Sequence, residues 1–296
     1  MLTIQWGWDP MEASENTRKR LWERSQSDHP MTKDKLDLLL LVAQTGVMTV
    51  PQISALSGKS EKAVRLHMRD LFDLGHVGRT AIPQLSGRPH MIYFASASGK
   101  RTLIKEQLVS RKDVGPTPEY GPENAYFLKH ELEVRDARVW LHRLEQQYKL
   151  PGLALWLDGP RAALPPARPD ALFILKLHQH TLVGMLETDR GTMRSPRRWM
   201  EKCEDYAEVY AKGLIKKATG YETGRVIVVT PNVERRDQVA AIITGMLPKI
   251  AVPPARFWVA AKKDLNVSKA SEVWNVPGII RPQRLMEESA LNLAVR

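Results

Sequence analysis

The stretch KSEKAVRLHMRDLFDLGHVGRTAIPQLSGRPHMIYF, residues 59–94, changes its period halfway along. In its first half Val64, Met68 and Leu71 fall on one side of a helix that Ser60 can cap and Gly75 can end. Beyond Gly75 the pattern is extended: residues 76–81, a turn at Leu85-Ser86-Gly87-Arg88-Pro89, then residues 91–94. Two extended runs joined by a Gly/Pro loop predict a β-hairpin.

Upstream, Leu36, Leu39, Leu40 and Ala43 recur at i, i+3, i+4, i+7, which predicts a first helix from about Met31 to Gly46. Thr49 as a cap, Pro51 in a first turn, and Ile53 and Leu56 before Ser57-Gly58 predict a short second helix. Three helices and a hairpin are the layout of a winged helix-turn-helix, expected over residues 31–110. Ser98-Gly99-Lys100 leads into a further helix through Leu103 and Ile104. Residues 1–30, with Trp6, Trp8 and Trp22 around Arg18-Lys19-Arg20, read as a polar basic arm.

Downstream, RKDVGPTPEYGPEN at 111–124 gathers Pro, Gly and charge without periodicity, so residues 111–125 read as a linker. A second domain is expected over 126–285, with a tail at 286–296. It begins with a helix over 127–147. Extended runs at 153–157, 170–177 and 181–189 follow, then a helix near 196–212, a strand at 225–230, a helix at 234–246 and a strand at 256–261. An α-β-β-β-α-β-α-β order predicts a mixed sheet flanked by helices, because parallel neighbours need crossovers. The fold class expected is therefore α+β and α/β.

The 296 residues carry 44 Lys+Arg against 33 Asp+Glu, a formal charge of +11, with 43% hydrophobic residues. That composition suffices for a core in each of two domains and argues against global disorder. The longest apolar run, Leu38 to Ala43, is too short for a membrane span, and no charged start precedes an apolar run near Met1. The single cysteine, Cys203, excludes an intramolecular disulfide and a cysteine-cluster zinc site. These features predict a soluble cytoplasmic protein without a membrane partner, and a polyanion as the partner to consider first.

The basic residues are not scattered evenly. Lys62, Arg65 and Arg69, at i, i+3 and i+7, share a face of the third helix distinct from Val64, Met68 and Leu71. With Lys59 and Ser60 at its first turn, that helix suits the major groove of double-stranded DNA, and Arg79 and Arg88 on the hairpin would reach the backbone or minor groove. A second basic group, Arg190, Arg194, Arg197 and Arg198, stands beside acids.

Those acids are Asp170, opening one strand, and Glu187 and Asp189, ending the next. Alternation puts Glu187 and Asp189 on one face, and Asp170 can meet them from the neighbouring strand. Carboxylates so placed could hold Mg²⁺ or Mn²⁺ against a phosphodiester. Trp199, Lys202, Tyr206 and Tyr210 form one helical stripe expected to face the sheet. A lysine there calls for a carboxylate partner, Glu187 or Asp189, since an unpaired buried ammonium is costly. His178-Gln179-His180 falls at a strand turn and lacks the hydrophobe of a metal-binding His-hydrophobe-His motif.

Pro169-Asp170, Glu187-x-Asp189 and the element order resemble the core of PD-(D/E)xK nucleases. There Asp and Glu bind the metal and a Lys two residues past the Glu assists attack. Here that position is Asp189; some members move the Lys to the next helix, and Lys202-x-x-x-Tyr206 is similar to their Gln-x-x-x-Tyr motif. The winged helix, His130-Glu131-Leu132-Glu133, Arg168-Pro169-Asp170-Ala171 and Glu187-Thr188-Asp189-Arg190-Gly191-Thr192 together resemble the plasmid replication-relaxation family over about 31–286.

The resemblance implies a restriction-endonuclease-like second domain in a DNA-binding protein of plasmids or mobile elements. Such a protein acts in replication initiation or in DNA relaxation and mobilisation, with replication or relaxosome proteins and a second copy of itself, as a homodimer, among its candidate partners. If the chain cuts, Asp170, Glu187 and Asp189 hold Mg²⁺ or Mn²⁺ and Lys202 steadies the charge of the transition state. The alternative is a non-catalytic regulator or relaxosome accessory factor in which Asp170, Glu187, Asp189 and Lys202 form a buried ionic network.

Overall fold

The computed structural model describes residues 23–25, 28–82, 91–112, 125–192, 195–265 and 274–279. Most of the arm, the hairpin turn with Arg88, nearly all of the linker, Arg194 and the 286–296 tail lie outside the described residues. The chain divides into two compact units, one ending at Arg135 and the next beginning at Asp136.

In the first unit helix α1 (Lys33–Thr45) starts where the Thr32 side chain accepts from the Lys35 amide, and stops at Gly46. A two-residue strand β1 (Met48–Thr49) precedes α2 (Val50–Ser57) and α3 (Glu61–Asp73). Strands β2 (Val77–Ala81) and β3 (Met91–Ala95) pair antiparallel as the hairpin reading requires, and β1 adds itself to the other edge of β3. Two residues carry no alternation, so β1 left no signal in the sequence. The core joins Leu38, Leu39 and Val42 of α1 to Ile53 of α2 and to Val64, Met68 and Leu71 of α3.

A buried ion pair also fixes α1 on α3. Lys35 is only 4% exposed, and its Nζ donates to Asp70 Oδ2 at 2.8 Å and to the Pro30 carbonyl at 3.0 Å. Helix α4 (Ala97–Lys105) then docks on the loop before β2 through Gly99, where a Cβ would stand 2.1 Å from the His76 carbonyl oxygen.

Helix α5 (Ala125–Tyr148) starts where the linker ends, yet its first turns count with the first unit. Leu128 clusters with Val47 and Ile92, and Gln52 Nε2 donates to the Leu132 carbonyl at 2.9 Å. The two compact units thus divide within α5, between Arg135 and Asp136, ten residues past the expected domain start at 126. A Pro/Gly-rich stretch marks where periodicity lapses, whereas a unit ends where burial ends.

The second unit is a five-stranded mixed sheet in the order β4 (Gly152–Asp158), β5 (Ala171–Lys176), β6 (Thr181–Thr188), β7 (Arg225–Thr230) and β8 (Phe257–Ala261). The first three run antiparallel; β6, β7 and β8 run parallel, with helices α6 (Arg197–Ala211) and α8 (Val233–Met246) as crossovers. A short helix α7 (Leu214–Thr219), not expected from the sequence, follows α6. Ile174, Val183, Met185, Val226 and Val228 pack on Trp199, Cys203, Tyr206, Val239 and Ile243 on one face. Phe173, Leu186, Ile227 and Val229 meet Ala137, Trp140 and Leu141 of α5 on the other.

Cys203 belongs to this core, where burial pushes its thiol up to about 12, so it packs rather than reacts. Among the described residues no helix is long and apolar enough to cross a membrane. Because the added methyl at Gly99 meets backbone rather than a mobile side chain, Gly99→Ala is expected to destabilise the first unit by about 1–3 kcal/mol. A urea unfolding curve with a lowered midpoint and unchanged slope checks it.

Candidate functional site

Helix α3 presents two unlike ends. Its core side buries Val64, Met68, Leu71 and Phe72, while Lys62, Arg65 and Leu66 are exposed. Arg65 pairs with Glu61 one turn back on the surface. Lys59 is held by Asp34 of α1 at 2.8 Å, and the Ser60 hydroxyl accepts from the Ala63 amide as the helix cap.

Arg69 does not join the exposed stripe expected of it. Its Nε donates to Asp73 Oδ2 at 2.8 Å, and its Nη2 to Ser25 Oγ at 3.0 Å and the Glu23 carbonyl at 3.2 Å. Arg79 likewise turns inward, its guanidinium 3.7 Å from the Phe72 ring centroid. Desolvation lowers its pKa, and the nearby Arg69 charge adds to that fall. Both arginines thus stack and bond within the unit, and the outward basic surface of α3 reduces to Lys62 and Arg65. A helical wheel shows the i, i+4 pair with Asp73 but neither Ser25, 44 residues upstream, nor the stacking of Arg79 on Phe72 from the hairpin. Arg88 lies outside the described residues.

At the end of β6 the acids lie where strand alternation put them, and each is already engaged. Glu187, 3% exposed, accepts from Tyr206 OH at 2.6 Å on Oε1 and pairs with Lys202 Nζ through Oε2. The partner expected for Lys202 is therefore Glu187. Burial pushes the Glu187 carboxyl above the usual glutamate range; Lys202 opposes the rise and the Asp170 charge adds to it. Tyr206, fully enclosed and facing that carboxylate, has its phenol pushed well above 10, so it stays a hydrogen-bond donor.

Asp170 stands at the level of Glu187, because Ala171 pairs with Leu186, but its Oδ2 accepts from the Thr188 amide at 2.7 Å and the Thr188 hydroxyl at 2.6 Å. Asp189, 4% exposed, receives four donors. Its Oδ1 accepts from the Gly191 amide at 2.6 Å and Arg235 Nε at 3.0 Å; its Oδ2 accepts from Trp199 Nε1 at 2.6 Å and Arg235 Nη2 at 2.9 Å. Gly191, at φ 68°, supplies the left-handed turn that returns its amide to the carboxylate. Burial alone would raise Asp189, and the bonds from Arg235, Trp199 and Gly191 outweigh it and leave the carboxyl below its ordinary 3.8.

A carboxylate offers about four lone-pair sites, and Asp189 has given all of them to protein donors. Through these bonds Asp189 ties the end of β6 to α6 and α8. Glu187 faces an ammonium where a divalent cation would stand. Among the described residues no group of three His, Cys, Asp or Glu side chains is placed to hold a metal ion. The residues present do not fit Mg²⁺ or Mn²⁺ at Asp170, Glu187 and Asp189. What the arrangement does form is a recess of about 160 Å³ beside Glu187, Lys202 and Tyr206, edged by Arg168 and Arg198 and by the acids Glu201 and Asp205. Of the other basic residues expected here, Arg197 is exposed and pairs with Glu201, and Arg190 is half-buried.

Arg235 was missed from the sequence. It lies 46 residues beyond Asp189, in the first turn of α8 behind the Asn232 cap, where the helix dipole disfavours a cation. That misplaced charge was the available signal. His178 and His180 flank the β5–β6 turn, with His178 Nε2 near the Tyr148 carbonyl at 3.3 Å.

A family model described as replication-relaxation matches residues 39–224. No curated protein matches the sequence. Among solved structures the chain is similar to Bacillus subtilis PadR in complex with operator DNA, at 16% identity and a TM-score of 0.24, over 40% of this chain and 71% of that chain.

Removing one partner of a buried pair strands the other, so Asp189→Asn is expected to cost about 3–5 kcal/mol at neutral pH. The pKa of Asp189 is lower folded than unfolded, so its contribution is complete above 3.8 and falls away as pH drops through the folded value. Urea unfolding of wild type and variant from pH 7 downward should show a gap that narrows only in acid.

Proposed function

The chain belongs to the replication-relaxation family, and from that premise we propose that it binds double-stranded DNA in the replication or relaxation of a plasmid or mobile element, without cutting it. The observation that carries the reading is the outer side of α3, where Lys62 and Arg65 project on a helix whose other face is packed on α1 and α2. The succession α1-α2-α3-β2-β3 with β1 on the sheet edge supports a winged helix-turn-helix, in which α3 enters the major groove. The cations supply the salt-sensitive share of binding.

The second unit, with α5-β4-β5-β6-α6-β7 in nuclease-like order, acts in this reading as an accessory body. Its acids hold Lys202, Tyr206, Trp199 and Arg235 instead of a metal. Arg168, Arg197 and Arg198 give it a second basic edge. Replication or relaxosome proteins, and a second copy of the chain, are the partners this reading admits. Metal-dependent nicking is the second reading; the open recess beside Glu187 and Lys202 favours it, and the engaged donors oppose it.

Each phosphate contact removed lowers the slope of log K against log salt by about 0.9, so Lys62→Ala with Arg65→Ala should flatten it by about 1.8. Arg69→Ala should instead lower stability and leave the slope near that of wild type. An unchanged slope in the double variant would defeat the reading of α3. Supercoiled plasmid incubated with the full chain and Mg²⁺ or Mn²⁺ is expected to stay closed. Nicked circles that vanish with Asp170→Ala would establish the second reading instead.

A further inference from the structure

We propose that Leu66 is a sequence-reading residue that packs on the C5-methyl group of a thymine in the major groove; this rests on the DNA-binding reading of α3. Leu66 is 62% exposed in the middle of a helix whose other large apolar residues, Val64, Met68, Leu71 and Phe72, are all buried. A lone surface leucine is ordinary. This one lies one turn beyond Lys62 and next to Arg65, and all three are exposed.

The neighbours decide what Leu66 can meet. A protein-binding patch gathers apolar residues in its centre and leaves charge at the rim. Here the exposed neighbours of the leucine are the cations Lys62 and Arg65, the latter paired with Glu61, while one turn further on Arg69 is folded back onto Asp73 and Ser25 and Asp70 is held by Lys35. The surface is therefore an apolar spot bordered by two exposed cations. Its complement is a polyanion carrying an isolated apolar group, and the thymine methyl is the apolar feature that a base pair offers in the major groove. Lys62 and Arg65 fix the register through phosphates, and Leu66 then discriminates thymine from cytosine, which lacks the methyl.

The test uses the full chain and a random-sequence duplex pool. Sites enriched by the wild type are expected to share a thymine at one position or two adjacent ones. Replacing that thymine with deoxyuridine deletes the methyl alone and should weaken wild-type binding about fourfold, as expected for one buried carbon group. Leu66→Ala, which keeps a good helix former at an exposed site, should unfold at the wild-type temperature, bind the same pool, and show no penalty for deoxyuridine.

An equal deoxyuridine penalty in wild type and Leu66→Ala overturns the proposal, as does an enriched site without a preferred thymine. A drop in the mass of the free protein on Leu66→Ala, with DNA preference unchanged, would place a second copy of the chain on this leucine instead. Failure of the wild type to bind any duplex overturns the parent reading, and is separate from the case in which binding persists without thymine preference.

Discussion

The Asp189 carboxylate takes two bonds from Arg235, one from Trp199 and one from the Gly191 amide, and through them the end of β6 is joined to α6 and α8. Both crossover helices of the parallel half of the sheet are thereby positioned by one acid. Its charge is almost wholly removed from water, and such a burial is tolerated only when every acceptor site is filled and a counter-charge is present. Those conditions are met with no donor to spare. The same saturation that makes the residue a good tether removes it from chemistry, since a ligand must offer a lone pair.

Glu187 follows the same logic one residue pair earlier on the strand. In a site poised for a divalent ion, carboxylates converge with their oxygens free and their mutual repulsion waits for the cation. Here the repulsion between Glu187 and Asp170 is relieved differently: the Lys202 ammonium neutralises one acid, and the Thr188 amide and hydroxyl solvate the other. The cation that balances Glu187 is an ammonium built into the protein. The recess that remains beside it is lined by charges of both signs, which suits contact with a polar partner better than concentration of negative charge on a metal.

Local periodicity made most of the fold legible. Ser60, Gly58 and Gly46 marked helix ends that the chain observes, and the strand at residues 225–230 was bounded on both sides by turn residues. The elements missed were short ones, β1 and α7, in which too few residues share a face for a pattern to exist. For the site, strand alternation placed Glu187 and Asp189 on one face and helical spacing aimed Lys202 at them, because those relations are set by the backbone. The pairings themselves depended on Arg235 and Thr188, and on how far each side chain reaches. One-dimensional spacing holds no information on that. The same limit explains Arg69 and Arg79: their positions follow from the helix and the hairpin, but Phe72, Asp73 and Ser25 decide which way the guanidinium groups turn.

That turn of the guanidinium groups gives α3 its polarity. At its C-terminal half Asp70 is fixed to the buried Lys35 of α1, and Asp73 and Phe72 gather Arg69 and Arg79, so this end is held by charge as well as by packing. At its N-terminal half Val64 and Met68 pack on the core and Asp34 of α1 reaches Lys59 and His67, while on the outer side Arg65 pairs with Glu61 of its own helix. The DNA-reading role proposed for α3 needs this division. Side chains that probe base edges must leave water and protein alike at little cost, whereas the helix that carries them must not shift by even a fraction of a turn. Lys35 and Asp70 meet the second requirement by desolvating a pair that would be weak on the surface, and in the proposed reading Lys62, Arg65 and Leu66 meet the first by their exposure.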